Sequence, residues 1–149
     1  MKKKLLSVSM LWVYRCIVFA FFFASCTSGN STREPRLKEY VFTVNLVDDE
    51  TKVREYLDYH RQVWPEVEES FRKAGYEQIR IYHFARSLCM IIAVREGVDL
   101  AEAGKISAAY HKKVKAWNAL MDGYQEGVPG TLAGQTWVEM EEIYVFKKD

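Results

Sequence analysis

Two periodicities divide this chain. Tyr40-Val41-Phe42-Thr43-Val44-Asn45-Leu46-Val47 alternates apolar and polar residues and is rich in β-branched side chains, which predicts a strand. Val53, Leu57, His60, Trp64, Val67 and Phe71 then recur in steps of three and four, the spacing that lines one face of a helix. That helix is expected from about Thr51 to Ala74, ending at Gly75, with a kink or restart at Pro65, where a backbone donor is lost. Gln78 to Phe84 and Ser87 to Arg95 read as two strands joined by a hairpin at Ala85-Arg86, the second apolar on both faces. Ala103, Ile106, Tyr110, Val114, Trp117 and Met121 predict a second helix within Leu100 to Tyr124. A glycine-rich loop follows, and Trp137 to Phe146 reads as the last strand.

The resulting order is βαββαβ. It predicts an α+β domain with two helices on one face of an antiparallel sheet. The abundance of apolar positions on both sheet faces predicts a homodimer.

Within the first helix, Tyr56 and His60 are i and i+4, so phenol and imidazole lie one turn apart on one flank. The spacing fits core filling, and it equally fits two proton-transfer groups presented to a ligand lying on the sheet. Trp64, Trp117 and Trp137 read as core by their spacing, and Glu139, Glu141 and Glu142 as solvated.

Ahead of this domain, Met1-Lys2-Lys3-Lys4 and an apolar stretch to Ala24 form a secretory signal pattern. Arg15 interrupts the stretch, leaving an uninterrupted run too short for the roughly 20 residues of a spanning helix. Phe23-Ala24-Ser25-Cys26 has the form of a bacterial lipobox, with Cys26 the residue to be lipidated. The expected organisation is a signal peptide with lipobox at 1–26, a polar tether at 27–36 and the folded domain at 37–149. It implies an exported lipoprotein held to a membrane by its N-terminal anchor; a plain cleaved signal peptide or an uncleaved anchor fits the same stretch.

Charge changes the picture little. With 21 basic and 20 acidic residues the net charge is +1, and no basic stripe points to nucleic acid. Three cysteines make no disulfide framework, and Cys89 reads as a buried free thiol. The three histidines have no metal-ligand spacing and no phosphate-binding glycine loop occurs, so neither metal nor cofactor is expected. Aromatic residues make up 14% of the chain, a content suited to pockets for amphipathic small molecules.

Three blocks carry a family likeness across about Tyr40 to Phe146. They are Tyr56-x3-His60-x3-Trp64-Pro65-Glu66, then Trp117-Asn118-Ala119-Leu120-Met121-Asp122 with Gln125-Glu126, then Gly134-x2-Trp137-x2-Met140-Glu141-Glu142-Ile143-Tyr144-x-Phe146. The domain resembles the L-rhamnose mutarotase family of ferredoxin-like, dimeric α/β-barrel proteins. The resemblance implies interconversion of the α and β anomers of a free sugar, L-rhamnose or a similar deoxy sugar, by general acid/base catalysis without a cofactor. It implies Tyr56 and His60 as catalytic residues and places Trp117 as the first member of a Trp-Trp pair. Trp117 is then expected to stack on the sugar, and Asn118, Arg80 and Tyr82 are further candidates for hydroxyl contacts. Two positions depart from the family pattern: Asn118 stands where the second member of a Trp-Trp pair is usual, and Ile79 where a tyrosine often stands. These departures favour a rival reading, a non-catalytic sugar-binding module on the same fold. A cofactor-free monooxygenase-like enzyme is a third.

Overall fold

The computed structural model describes residues 36–148. The expected signal peptide, Cys26 and all but the last residue of the tether lie outside them.

The elements are β1 (Leu37–Leu46), α1 (Glu50–Arg61), α2 (Pro65–Ala74), β2 (Tyr76–Phe84), β3 (Ser87–Arg95), α3 (Leu100–Ala109), α4 (Lys112–Asp122), β4 (Gln125–Glu126) and β5 (Val138–Glu139). The sheet is antiparallel in the order β2-β3-β1-β4, with β5 also on β1. This is the expected α+β, ferredoxin-like architecture, but each of the two expected helices is broken in two.

The first break has the cause read from Pro65. Trp64 adopts an extended conformation and Pro65 opens α2 in its first turn, where its missing N–H costs nothing. The second break carries no proline or glycine. His111 turns extended and its Nδ1 accepts the Lys113 N–H at 3.2 Å, so a side chain caps the new start. Asp49 and Asp99 cap α1 and α3 in the same manner, each accepting two backbone N–H groups. Gly75 closes α2 with φ 86°, a left-handed position that suits glycine.

The final strand is much shorter than expected. Only Val138 and Glu139 pair with β1, opposite Thr43 and Phe42, and Met140 N–H adds one bond to the Val41 carbonyl at 2.7 Å. Beyond it Ile143, Tyr144, Val145 and Phe146 are all exposed, Ile143 at 92%. The run has strand-forming residues and no partner strand among the described residues. The fourth position of the sheet is therefore shared by two dipeptide strands, β4 near one end of β1 and β5 near its middle.

The core lies between the sheet and the helices. Val44, Leu46 and Leu88 on the strands meet Tyr56, Val67, Trp117 and Met121 on the helices. Register fixes which strand residues join them. Phe42, Met90 and Ile81 lie on one line across the sheet, as do Tyr40, Ile92 and Ile79, and these share the face of Val44 and Leu88. An irregularity between Tyr76 and Gln78 shifts the parity of β2, so Tyr76 also falls on this face. Cys89 lies on the other face and is half-buried, not sealed.

Candidate functional site

A hollow of about 840 Å³ opens between the helical layer and the sheet. One end is bordered by Tyr56, His60, Trp117, Asn118, Gln125 and Trp137. Ile79, Ile81, Met90 and Ile92 form an aliphatic floor, and Phe71 and Tyr76 stand at the other end.

Helical spacing brings Tyr56 and His60 together as expected, with ring centroids 4.2 Å apart and planes 32° apart. His60 Nδ1 lies 2.9 Å from the Tyr56 carbonyl oxygen. A carbonyl only accepts, so Nδ1 carries the hydrogen and Nε2 is the nitrogen with a free lone pair. Burial pushes the imidazole below its usual 6.5, partly offset by that backbone bond. Burial pushes the phenol the opposite way, to about 12, partly offset by the Gln125 side chain. Near neutral pH the pair is thus a phenol that keeps its proton beside an imidazole able to take one. Opposed shifts in adjacent groups are the pattern that separates an acid from a base.

Tyr56 is only 1% exposed, although it borders the hollow. Trp117, 5% exposed, is the junction of an aromatic cluster: His60 stands at 5.5 Å, Trp64 at 5.3 Å and Tyr59 at 6.1 Å, all near edge-on. Its indole is held in one orientation by those neighbours. Trp64 and Trp137 are both partly buried and packed against the core, and Trp137 also borders the hollow.

Asn118 borders the hollow one residue beyond Trp117. Arg80 and Tyr82 do not. They alternate with Ile79 and Ile81 along β2 and so project from the opposite sheet face, where Arg80 bonds Glu39 at 2.7 Å. Contacts from these two residues to a ligand against Tyr56 are therefore corrected by the strand parity. Ile79 lies in the floor, and the nearby phenol on this face is that of Tyr76.

Gln125 follows the second sequence block, and the fold gives it a role. It sits in β4 opposite Leu46, next to Glu126, which pairs with Arg86. Arg86 in turn donates from Nε to the Leu46 carbonyl at 2.9 Å. This guanidinium clamp fixes β4 and with it the amide facing the phenol. No group of three or more potential metal ligands occurs among the described residues.

A family model described as L-rhamnose mutarotase matches residues 39–146, most of the chain. The chain belongs to the L-rhamnose mutarotase family. The activity for which that family is named is isomerisation at the anomeric carbon of a sugar. Among relatives of this mutarotase-family chain, an L-fucose mutarotase of Xanthomonas campestris is 30% identical over 114 residues, 75% of this chain and 90% of that one. A UPF0734 protein of Dictyostelium discoideum is 27% identical over 110 residues, 72% of this chain and 88% of that one. The crystal structure of an L-rhamnose mutarotase from Formosa agariphila superposes with a TM-score of 0.52 at 18% identity, covering 74% of this chain and 99% of that one. At that identity the superposition shows the shared fold.

Proposed function

We propose that this protein catalyses mutarotation of L-rhamnose or a similar deoxy sugar by general acid/base catalysis. The observation that carries the reading is the Tyr56–His60 pair, one helical turn apart at the edge of the hollow with protonation preferences pushed in opposite directions. Mutarotation needs that adjacency, because the anomeric hydroxyl and the ring oxygen are bonded to the same carbon.

In the proposed reaction His60 Nε2 takes the proton from the anomeric hydroxyl while the Tyr56 hydroxyl gives its proton to the ring oxygen. The bond between C1 and the ring oxygen breaks and an open-chain aldehyde forms. Rotation about the C1–C2 bond presents the other face of the aldehyde. Ring closure returns one proton to Tyr56 and takes the other from His60, so neither residue is consumed. A phenol shifted to about 12 favours fast return of its proton. Positioned acid and base groups typically contribute about 10²–10⁴-fold. Trp117 and Asn118 complete the proposed sugar contacts.

Saturation-transfer NMR on equilibrated L-rhamnose, and in parallel on L-fucose, tests this reading. Faster exchange between the two anomer signals supports it. Binding without faster exchange supports the rival sugar-binding module, which the near-complete burial of Tyr56 favours.

A second copy of the chain belongs to the proposal. The outer sheet face carries Tyr82 and Phe84, and the C-terminal segment exposes four apolar residues in succession, surface that a soluble monomer rarely leaves to water. The lipobox at Cys26 adds export and a lipid anchor, which incorporation of a labelled fatty acid lost in Cys26→Ser would test.

A further inference from the structure

We propose that the far end of the hollow, at Glu68, Phe71 and Tyr76, binds a second glycosyl unit, so that the substrates include reducing disaccharides as well as free monosaccharides. The inference rests on the reading of the Tyr56–His60 end as the place where the anomeric carbon reacts.

Size is the first argument. Cavities of about 300–1,000 Å³ enclose drug-sized ligands. This hollow, at about 840 Å³, lies in the upper part of that range, whereas a free deoxyhexose has only about a dozen non-hydrogen atoms. Along β2 the hollow runs from Ile81 to Tyr76, opposite Met90 to Val94 of β3, four strand steps that cover about 13 Å. A single pyranose against His60 leaves the Tyr76 end empty.

Chemistry is the second argument. The two ends have the same character: aromatic rings with polar groups beside them, separated by an aliphatic floor. Phe71 and Tyr76 form an edge-on pair with centroids 5.7 Å apart and planes 87° apart. Glu68, Phe71 and Arg72 occupy i, i+3 and i+4 on α2, so a carboxylate and a guanidinium flank the ring along one helix face. Glu77 adds a second carboxylate. Rings with hydroxyl-binding groups at their margins suit a ligand that is apolar on one face and polar at its edge, as a pyranose is. Arg72 already donates to Glu69 at 2.7 Å and Arg95 to Glu77 at 2.5 Å, which leaves the Glu68 carboxylate as the uncompensated charge at this end among the described residues, so a neutral sugar fits better than an acidic one.

Connectivity favours a linkage at O4. In a pyranose the C4 hydroxyl stands across the ring from C1. With C1 at Tyr56 and His60, a glycosidic bond at O4 directs the next unit away from those residues and along the hollow.

The test compares L-rhamnose with a disaccharide carrying a second rhamnosyl unit on O4 of its reducing rhamnose. Anomer exchange by NMR gives kcat/KM for each, and calorimetry gives each Kd. The expected disaccharide-to-monosaccharide ratio is about ten, the yield of one further well-packed contact. Tyr76→Ala, and separately the exposed-site variant Glu68→Ala, should bring that ratio towards one. The ratio reads the second subsite even where a variant loses some folded protein. A parent ratio of one or below in both kcat/KM and Kd overturns the proposal, as does a ratio that both variants leave intact. Turnover of neither sugar with a tenfold Kd ratio preserved would sink the mutarotase reading and leave the second subsite standing. Failure of both sugars to bind overturns the two together.

Discussion

His60 Nδ1 lies 2.9 Å from the main-chain carbonyl of Tyr56, the residue whose ring it also faces. One bond therefore sets the imidazole tautomer and aims Nε2 away from its own helix. The proposed acid and base are positioned by one turn of α1, and their spacing follows from helix geometry with no help from a loop.

Removing the phenol hydroxyl tests the acid. Tyr56→Phe should keep the fold, at a stability cost of about 1 kcal/mol for the lost polar contact, and slow anomer exchange at least about tenfold. Circular dichroism and NMR exchange measure the two halves. A variant as fast as its parent would remove Tyr56 from the reaction.

The pH profile tests the base. Burial lowers the His60 value below 6.5, so Nε2 stays unprotonated through the neutral range and the background-subtracted rate should be flat there. Activity should fall on the acid side, at a pH below 6.5. No alkaline limb should appear until the neighbourhood of the Tyr56 value near 12. The same shift bears on stability: between the folded value and 6.5 the unfolded chain binds more protons at His60, so stability declines as pH falls through that window. An acid limb centred above 6.5 would rule out His60 as the base.

The exposed C-terminal run tests the assembly. Sedimentation of the domain should give twice the monomer mass, and Tyr144→Asp with Phe146→Asp should reduce it to the monomer. A parent that sediments as a monomer removes the second copy from the proposal.

Gly127 tests the loop that leads to Trp137. A Cβ at this position would collide with Thr131 Oγ1 and lie 2.9 Å from the Gln135 carbonyl oxygen. Gly127→Ala should cost about 1–3 kcal/mol as overpacking, lowering Tm by several degrees. Tryptophan fluorescence should shift as Trp137 moves. An unchanged Tm would mean the loop repacks without strain.

Much of this architecture could be read from residue order, because periodicity reports which face is buried. The alternation of β1, the Ala85–Arg86 hairpin and most of the two helical stripes have their physical counterparts, whereas Ile106 and Tyr110 of the second stripe are exposed. The restart at Pro65 was legible because proline changes backbone chemistry at the break. The break before His111 was not, since an imidazole cap leaves no comparable mark. Ile143 to Phe146 shows the limit of strand propensity: β-forming residues need a neighbouring edge, and this chain offers them none among the described residues. Plain alternation with Ile79 and Ile81 already sets Arg80 and Tyr82 on the outer face. What local sequence does not mark is the irregularity after Tyr76, which sends that phenol to the hollow. Gln125 was visible as a residue, but its position facing Tyr56 depends on a strand pairing that local sequence does not encode.

The split of the sheet's fourth position has an evolutionary corollary. Since β4 and β5 each fasten to β1 independently, the stretch from Gly127 to Trp137 is anchored at both ends while its length contributes nothing to the hydrogen-bonded ladder. Insertions and deletions there would remodel the rim beside Trp137 and leave α1 untouched. Selection thus has a region in which to reshape the mouth of the hollow without displacing the proposed proton-transfer pair.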